Sequence, residues 1–136
     1  MRATLALLTL AGCDPADSGD SGGIGACVPS LAILAPVDGA TVCSDAFDVQ
    51  LEIGGLTLED PYNPPDPIPP CSGHVDLTLN GQDVAMTGGD TTTITGAEDG
   101  FEYQLKAELS NADHTPMDPY VGEFIYITAS AAACGP

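Results

Sequence analysis

Two histidines, His74 and His114, are the whole imidazole supply of the 136-residue chain. His114 directly follows Asp113, and Asp76 stands two residues beyond His74. Two ring nitrogens and a carboxylate are a ligand set for zinc or copper, because neutral imidazole suits borderline divalent metals and a carboxylate adds compensating charge. The same side chains can instead brace loops by hydrogen bonding to backbone. Calcium asks for different chemistry, several converging oxygens. Asp60, Asp66, Asp113 and Asp118 are the acidic loop residues that could supply them, and Asp14, Asp17 and Asp20 are spaced three apart. The closing Glu of an EF-hand loop is missing, and acids on loops also read as a solvated surface.

Catalytic patterns are scarce. Ser, His and Asp are all present, but no serine sits in the strand-turn-helix context of a nucleophile elbow. Gly54-Gly55 and Gly88-Gly89 lack the Gly-x-Gly-x-x-Gly spacing that brings backbone close to a pyrophosphate. Glycan binding draws on exposed aromatic rings, and with no Trp the chain offers Tyr62 and Tyr120. The expectation is a protein that is not an enzyme.

Charge narrows the partners. Twenty Asp and Glu against two basic residues give a formal charge of −18. A polyanion of this density is repelled by phosphate backbones and anionic lipid, which excludes nucleic acid as a partner. At the N-terminus, Met1-Arg2 and the apolar stretch Ala3 to Leu10 read as the core of a signal peptide, too short to span a bilayer. The stretch runs into Leu10-Ala11-Gly12-Cys13, which resembles the bacterial lipobox, where the cysteine is lipidated and becomes the mature N-terminus. Residues 1–12 are then a cleaved lipoprotein signal and Cys13 the membrane anchor. Cleavage removes Arg2, leaving Lys106 as the one basic side chain. Asp14 after that cysteine resembles the inner-membrane retention signal of enteric bacteria. Residues 14–26, DPADSGDSGGIGA, carry little that could be buried and read as a flexible linker. With Cys13 consumed, Cys27, Cys43, Cys71 and Cys134 remain, an even number that reads as two disulfides with three pairings open.

Residues 27–136 suffice for one domain. Its apolar period is two: Phe47, Val49, Leu51 and Ile53 alternate with polar residues, as do Val75, Leu77 and Leu79, and Phe101, Tyr103, Leu105, Ala107 and Leu109. These segments predict strands with one face buried and one in water. Weaker strands are expected near 31–35, 40–42, 84–86, 91–95 and 122–128. Asn80-Gly81 predicts a two-residue hairpin, because both residues tolerate positive φ. Pro36 to Gly39 predicts a turn, and the six prolines between 59 and 70 an extended excursion that cannot join a ladder. No segment has a helical period. Seven or eight short strands make the fold class all-β, an antiparallel β-sandwich.

The run Ile33 to Gly39, the Phe47 strand, Gly73-His74 opening a strand, and Leu109 to Pro116 (LSNADHTP) are similar to immunoglobulin-like domains of bacterial envelope lipoproteins. The nearest resemblance is to a family of unknown function with a Gly-His strand start and a later Asp-His pair, and it covers residues 31–130. That family has further histidines where this chain has Val75 and Asp76. Asp99 to Tyr103 also resembles the tyrosine corner of such sandwiches. The implied strand order A, B, C, C′, E, F, G puts the start of A, the start of C and the end of F at one pole, and the ends of A′ and G at the other. It implies bonds joining Cys27 to Cys71 and Cys43 to Cys134. It also brings His74 beside Asp113 and His114, with Asp76 near, as a candidate divalent-metal site.

The functional expectation is a lipid-anchored binding or structural module of the bacterial cell envelope, on the periplasmic face or cell surface. The alternatives are a metal-binding envelope protein using zinc or copper at the histidines or calcium at the acidic loops, and a cell-surface adhesion or assembly partner acting through the proline loop or a sheet edge.

Overall fold

The computed structural model describes residues 27 to 135. The leader 1–12, Cys13 and the linker 14–26 therefore lie outside the described residues. Nine strands follow in order: β1 (Ser30–Ala35), β2 (Ala40–Cys43), β3 (Ala46–Gly54), β4 (Thr57–Leu58), β5 (Ser72–Leu79), β6 (Gln82–Thr87), β7 (Thr91–Thr95), β8 (Glu102–Asn111) and β9 (Gly122–Ser130). A 3₁₀ turn, Ala131–Cys134, closes the sequence of elements.

The strands form two sheets, β1-β3-β7 and β2-β9-β8-β5-β4, with β6 on the same side of β5 as β4. This is the immunoglobulin-like β-sandwich: β1 and β2 are A and A′, β3 is B, β5 and β6 are C and C′, and β7, β8 and β9 are E, F and G. Two pairings depart from the antiparallel rule, β2 with β9 and the two-residue β4 with β5. The first has a simple origin. The chain crosses from the small sheet to the large one at the Pro36–Gly39 turn, where Gly39 has φ 85° and Ala40 N–H bonds the Val37 carbonyl at 3.0 Å. It continues in its original direction, so β2 runs alongside β9, with Ala40 opposite Ile127.

Alternation places the core as expected. Phe47, Val49, Leu51 and Ile94 of the small sheet meet Val75, Leu77, Leu79, Leu105, Ala107, Leu109, Ile125 and Ile127 of the large one. The Asn80-Gly81 turn has φ of 50° and 83°, so both residues occupy the left-handed region that the tight hairpin requires. Tyr103 does form the corner, its hydroxyl accepting from Glu98 N–H at 2.9 Å. Phe101 departs from the alternation: it precedes β8 and is 56% exposed, because the chain turns at Gly100, with φ 89°, before the strand begins.

The expectation of one wet face fails for β5. His74 and Thr78 are buried like Val75 and Leu77 on the opposite face. Thr78 sits in the ladder between Asp83 and Lys106, and the β8–β9 connection lays His114 over His74. Close approach is built into this region: a Cβ at Gly73 would collide with the Ser110 carbonyl on β8. Gly73→Ala is accordingly expected to lower stability by about 1 to 3 kcal/mol, the cost of overpacking. A urea midpoint equal to that of the wild type would contradict it.

Candidate functional site

The disulfides brace opposite ends of the sandwich. Cys27, before β1, is bonded to Cys71, before β5, and Cys43 at the end of β2 is bonded to Cys134 in the 3₁₀ turn. These are the pairs that the strand order implies. The end carrying Cys27–Cys71 is also the end where β5 begins and where β8 leads into the β8–β9 connection, and there the two histidines meet.

His74 projects from the outer face of β5 and is 1% exposed. Its ring lies 4.9 Å from that of His114, at an interplanar angle of 61°. His114 has φ 69°, a left-handed backbone closed by a bond from its N–H to the Asn111 carbonyl at 2.8 Å, and this turn carries the side chain back over β5. Asp76, two residues along the same face, places Oδ1 3.2 Å from His74 Nε2. The separation is that of an ion pair, but alignment is poor: neither ring nitrogen of His74, nor Asp76 Oδ1, has a hydrogen-bond partner. The other carboxylate oxygen is engaged, since Ser110 Oγ donates to Asp76 Oδ2. Burial pushes the His74 pKa below its usual value, opposed by the neighbouring Asp76 charge and helped by His114. Burial thus disfavours the charged form of this imidazole.

Above these residues opens a cleft of about 400 Å³, lined by Tyr62, Asp76, Asp83, Val84, Met86 and His114 among others. Tyr62 comes from the proline-rich excursion, and Met86 lies directly opposite Asp76 in the β5–β6 ladder. Sequence reading does not single out Met86 or Ser110.

Asp113 does not join the group. It is exposed, and its Oδ1 accepts from both the N–H and the hydroxyl of Thr115, which lowers its pKa and caps its own turn. The acidic loops do not converge either. Among the described residues, the one trio of His, Cys or acidic ligand atoms lying within 4.8 Å of one another is Cys43, Asp45 and Cys134. Its two sulfurs are spent in the disulfide, so it offers no thiolate to a metal.

A second surface was hidden from sequence reading. On the outer side of β9, Phe124 and Tyr126 are exposed and pack edge to face at 5.8 Å. Tyr120 continues the row: its phenol occupies space that a side chain at Gly122 would fill. The exposed aromatic supply thus exceeds Tyr62 and Tyr120.

No known family profile matches the chain, and no curated protein matches it. Among solved structures, it is similar to the fibronectin(III)-like modules of CbhA from Clostridium thermocellum, at 8% identity and TM-score 0.48, covering 74% of this chain and 96% of that one. It is also similar to a modular endo-β-1,4-mannanase from Cellulomonas fimi, at 18% identity and TM-score 0.43, covering 76% of this chain and 19% of that one. An engineered protein gives 19% identity and TM-score 0.44 over 76% of this chain and 20% of its own. The chain spans about a fifth of the length of these last two.

Proposed function

We propose that the chain is an exported, lipid-anchored module of the bacterial cell envelope that binds or scaffolds and does not catalyse. The observation that carries this reading is the pair of disulfides clamping the two ends of the sandwich. Such bonds persist in oxidising compartments outside the cytoplasm. The lipobox-like Leu10-Ala11-Gly12-Cys13 and the acidic, glycine-rich segment after it supply the anchor and the tether. The row Tyr120, Phe124 and Tyr126 supports binding, because an exposed apolar strip on a strongly acidic chain favours contact with a partner such as another envelope protein.

The test is metabolic labelling of the full chain in a bacterium that processes lipoproteins. Labelled fatty acid should enter the wild type and carry it into the detergent phase, whereas Cys13→Ala should remain unlabelled and aqueous. Alkylation before reduction should find no reactive thiol among Cys27, Cys43, Cys71 and Cys134. Absence of label in the wild type, or four free thiols, would overturn the proposal.

A further inference from the structure

We propose that His74, Asp76 and His114 form a binding site for a divalent transition metal at the floor of the β5–β6 cleft, taking Cu²⁺ ahead of Zn²⁺. The inference goes beyond the anchored-module reading and stands or falls separately from it.

The starting point is an anomaly. Buried polar atoms are nearly always paired, because an unpaired one forfeits its hydration with nothing in return. Here three ligand-type atoms are buried together without a hydrogen-bond partner: both ring nitrogens of His74 and Oδ1 of Asp76. Nε2 and Oδ1 stand 3.2 Å apart without a ring N–H aligned between them. That spacing matches two ligands of one cation, since bonds of about 2 Å from a shared metal put adjacent donor atoms roughly 3 Å apart.

The supporting parts are also present. Ser110 holds the second Asp76 oxygen and so orients the carboxylate, the outer-shell arrangement that metal-binding carboxylates use. His114 supplies the second imidazole from a turn that aims it at His74. Its ligand atoms are not yet within 4.8 Å of both others, so closure takes a swing of the exposed His114 side chain. The metal would then sit under the cleft, with remaining positions open toward Met86. Two nitrogens, one carboxylate oxygen and a nearby thioether favour copper over zinc and disfavour calcium or magnesium, which want oxygen.

The experiment is calorimetric titration of the purified full chain with Cu²⁺, Zn²⁺ and Ca²⁺ at neutral pH, paired with electron paramagnetic resonance of the copper form. Three variants accompany the wild type: Asp76→Asn, His114→Asn and Asp113→Asn. Asn is chosen at 114 because it tolerates the left-handed backbone there, and metal-free thermal melts establish that each variant folds. Expected are one Cu²⁺ per chain, weaker Zn²⁺ binding, and hyperfine coupling from two imidazole nitrogens. Affinity should fall by at least about tenfold in Asp76→Asn and His114→Asn, with coupling from one nitrogen in the latter, and stay unchanged in Asp113→Asn. No one-to-one copper binding, zinc binding tighter than copper, or binding indifferent to Asp76→Asn and His114→Asn, would overturn the site.

Discussion

Replacing Cys43 and Cys134 together by alanine lowers folding stability by about 4 to 5 kcal/mol. The bond spans 91 residues, and in the chain-entropy account a cross-link stabilises by limiting the unfolded ensemble, more so the longer the loop it closes. The corresponding figure for Cys27–Cys71, spanning 44 residues, is about 4 kcal/mol. A domain of this size has only about 5 to 15 kcal/mol in total, so the double variant sits near its unfolding limit. Local structure sharpens the effect: Cys43 pairs with Ser130 at the end of the parallel β2–β9 ladder, which is four residues long. Without the bond, the Cys43 end of β2 is held to β9 by those pairs and the 3.2 Å bond from Ser44 N–H to the Ser130 carbonyl, while the 2.7 Å bond from Gly39 N–H to the Tyr126 carbonyl secures only the opposite end. Urea denaturation under non-reducing conditions measures it, and a loss below about 1 kcal/mol would show that the unfolded chain is not what the bond constrains.

Leu105→Ala should cost about 2 to 5 kcal/mol, the range for emptying a leucine-sized space in a core. Leu105 is 0% exposed and lies on β8, between β5 and β9, opposite Leu79 on one side and Ile125 on the other. Ladders on both flanks hold the backbone in place, so the cavity cannot collapse by strand movement and the loss falls toward the upper part of the range. Leu34→Ala is the control: Leu34 is an exposed residue of the edge strand β1, and its truncation should change stability by less than about 0.5 kcal/mol. Comparable losses at the two positions would mean that β8 is not the centre of the packed core.

The strands were legible because burial on one side of a sheet imprints a period of two, and that period is written in side-chain type. Phe47 to Ile53 and Tyr103 to Leu109 turn their apolar residues inward as the alternation requires. Asn80-Gly81 was legible for a different reason, since few residues accept positive φ and a tight hairpin needs two in succession. Phe101 was misread because an alternating pattern does not mark where a strand begins. The turn at Gly100 left it outside β8.

The candidate site was legible only in part. Residue type and strand order point to His74, Asp76, Asp113 and His114 together, but Asp113 does not join the other three. Its carboxylate is taken by Thr115, a local turn bond that residue order does not display. Met86 was missed for a register reason. A regular hairpin about Asn80-Gly81 sets Asp76 opposite Ala85, whereas the irregularity between Leu77 and Thr78 moves the partner to Met86.

Composition and periodicity by themselves determined the all-β class, the inward faces, the hairpin and the acidic surface, because each is a property of neighbours along the chain. Tertiary structure alone decided that β5 is covered on both faces, and that an imidazole and a carboxylate are buried side by side without hydrogen-bond partners. Those are properties of residues tens of positions apart, brought together by strand register and by a loop folding back over a sheet, and the free energy that selects them belongs to the whole packed domain.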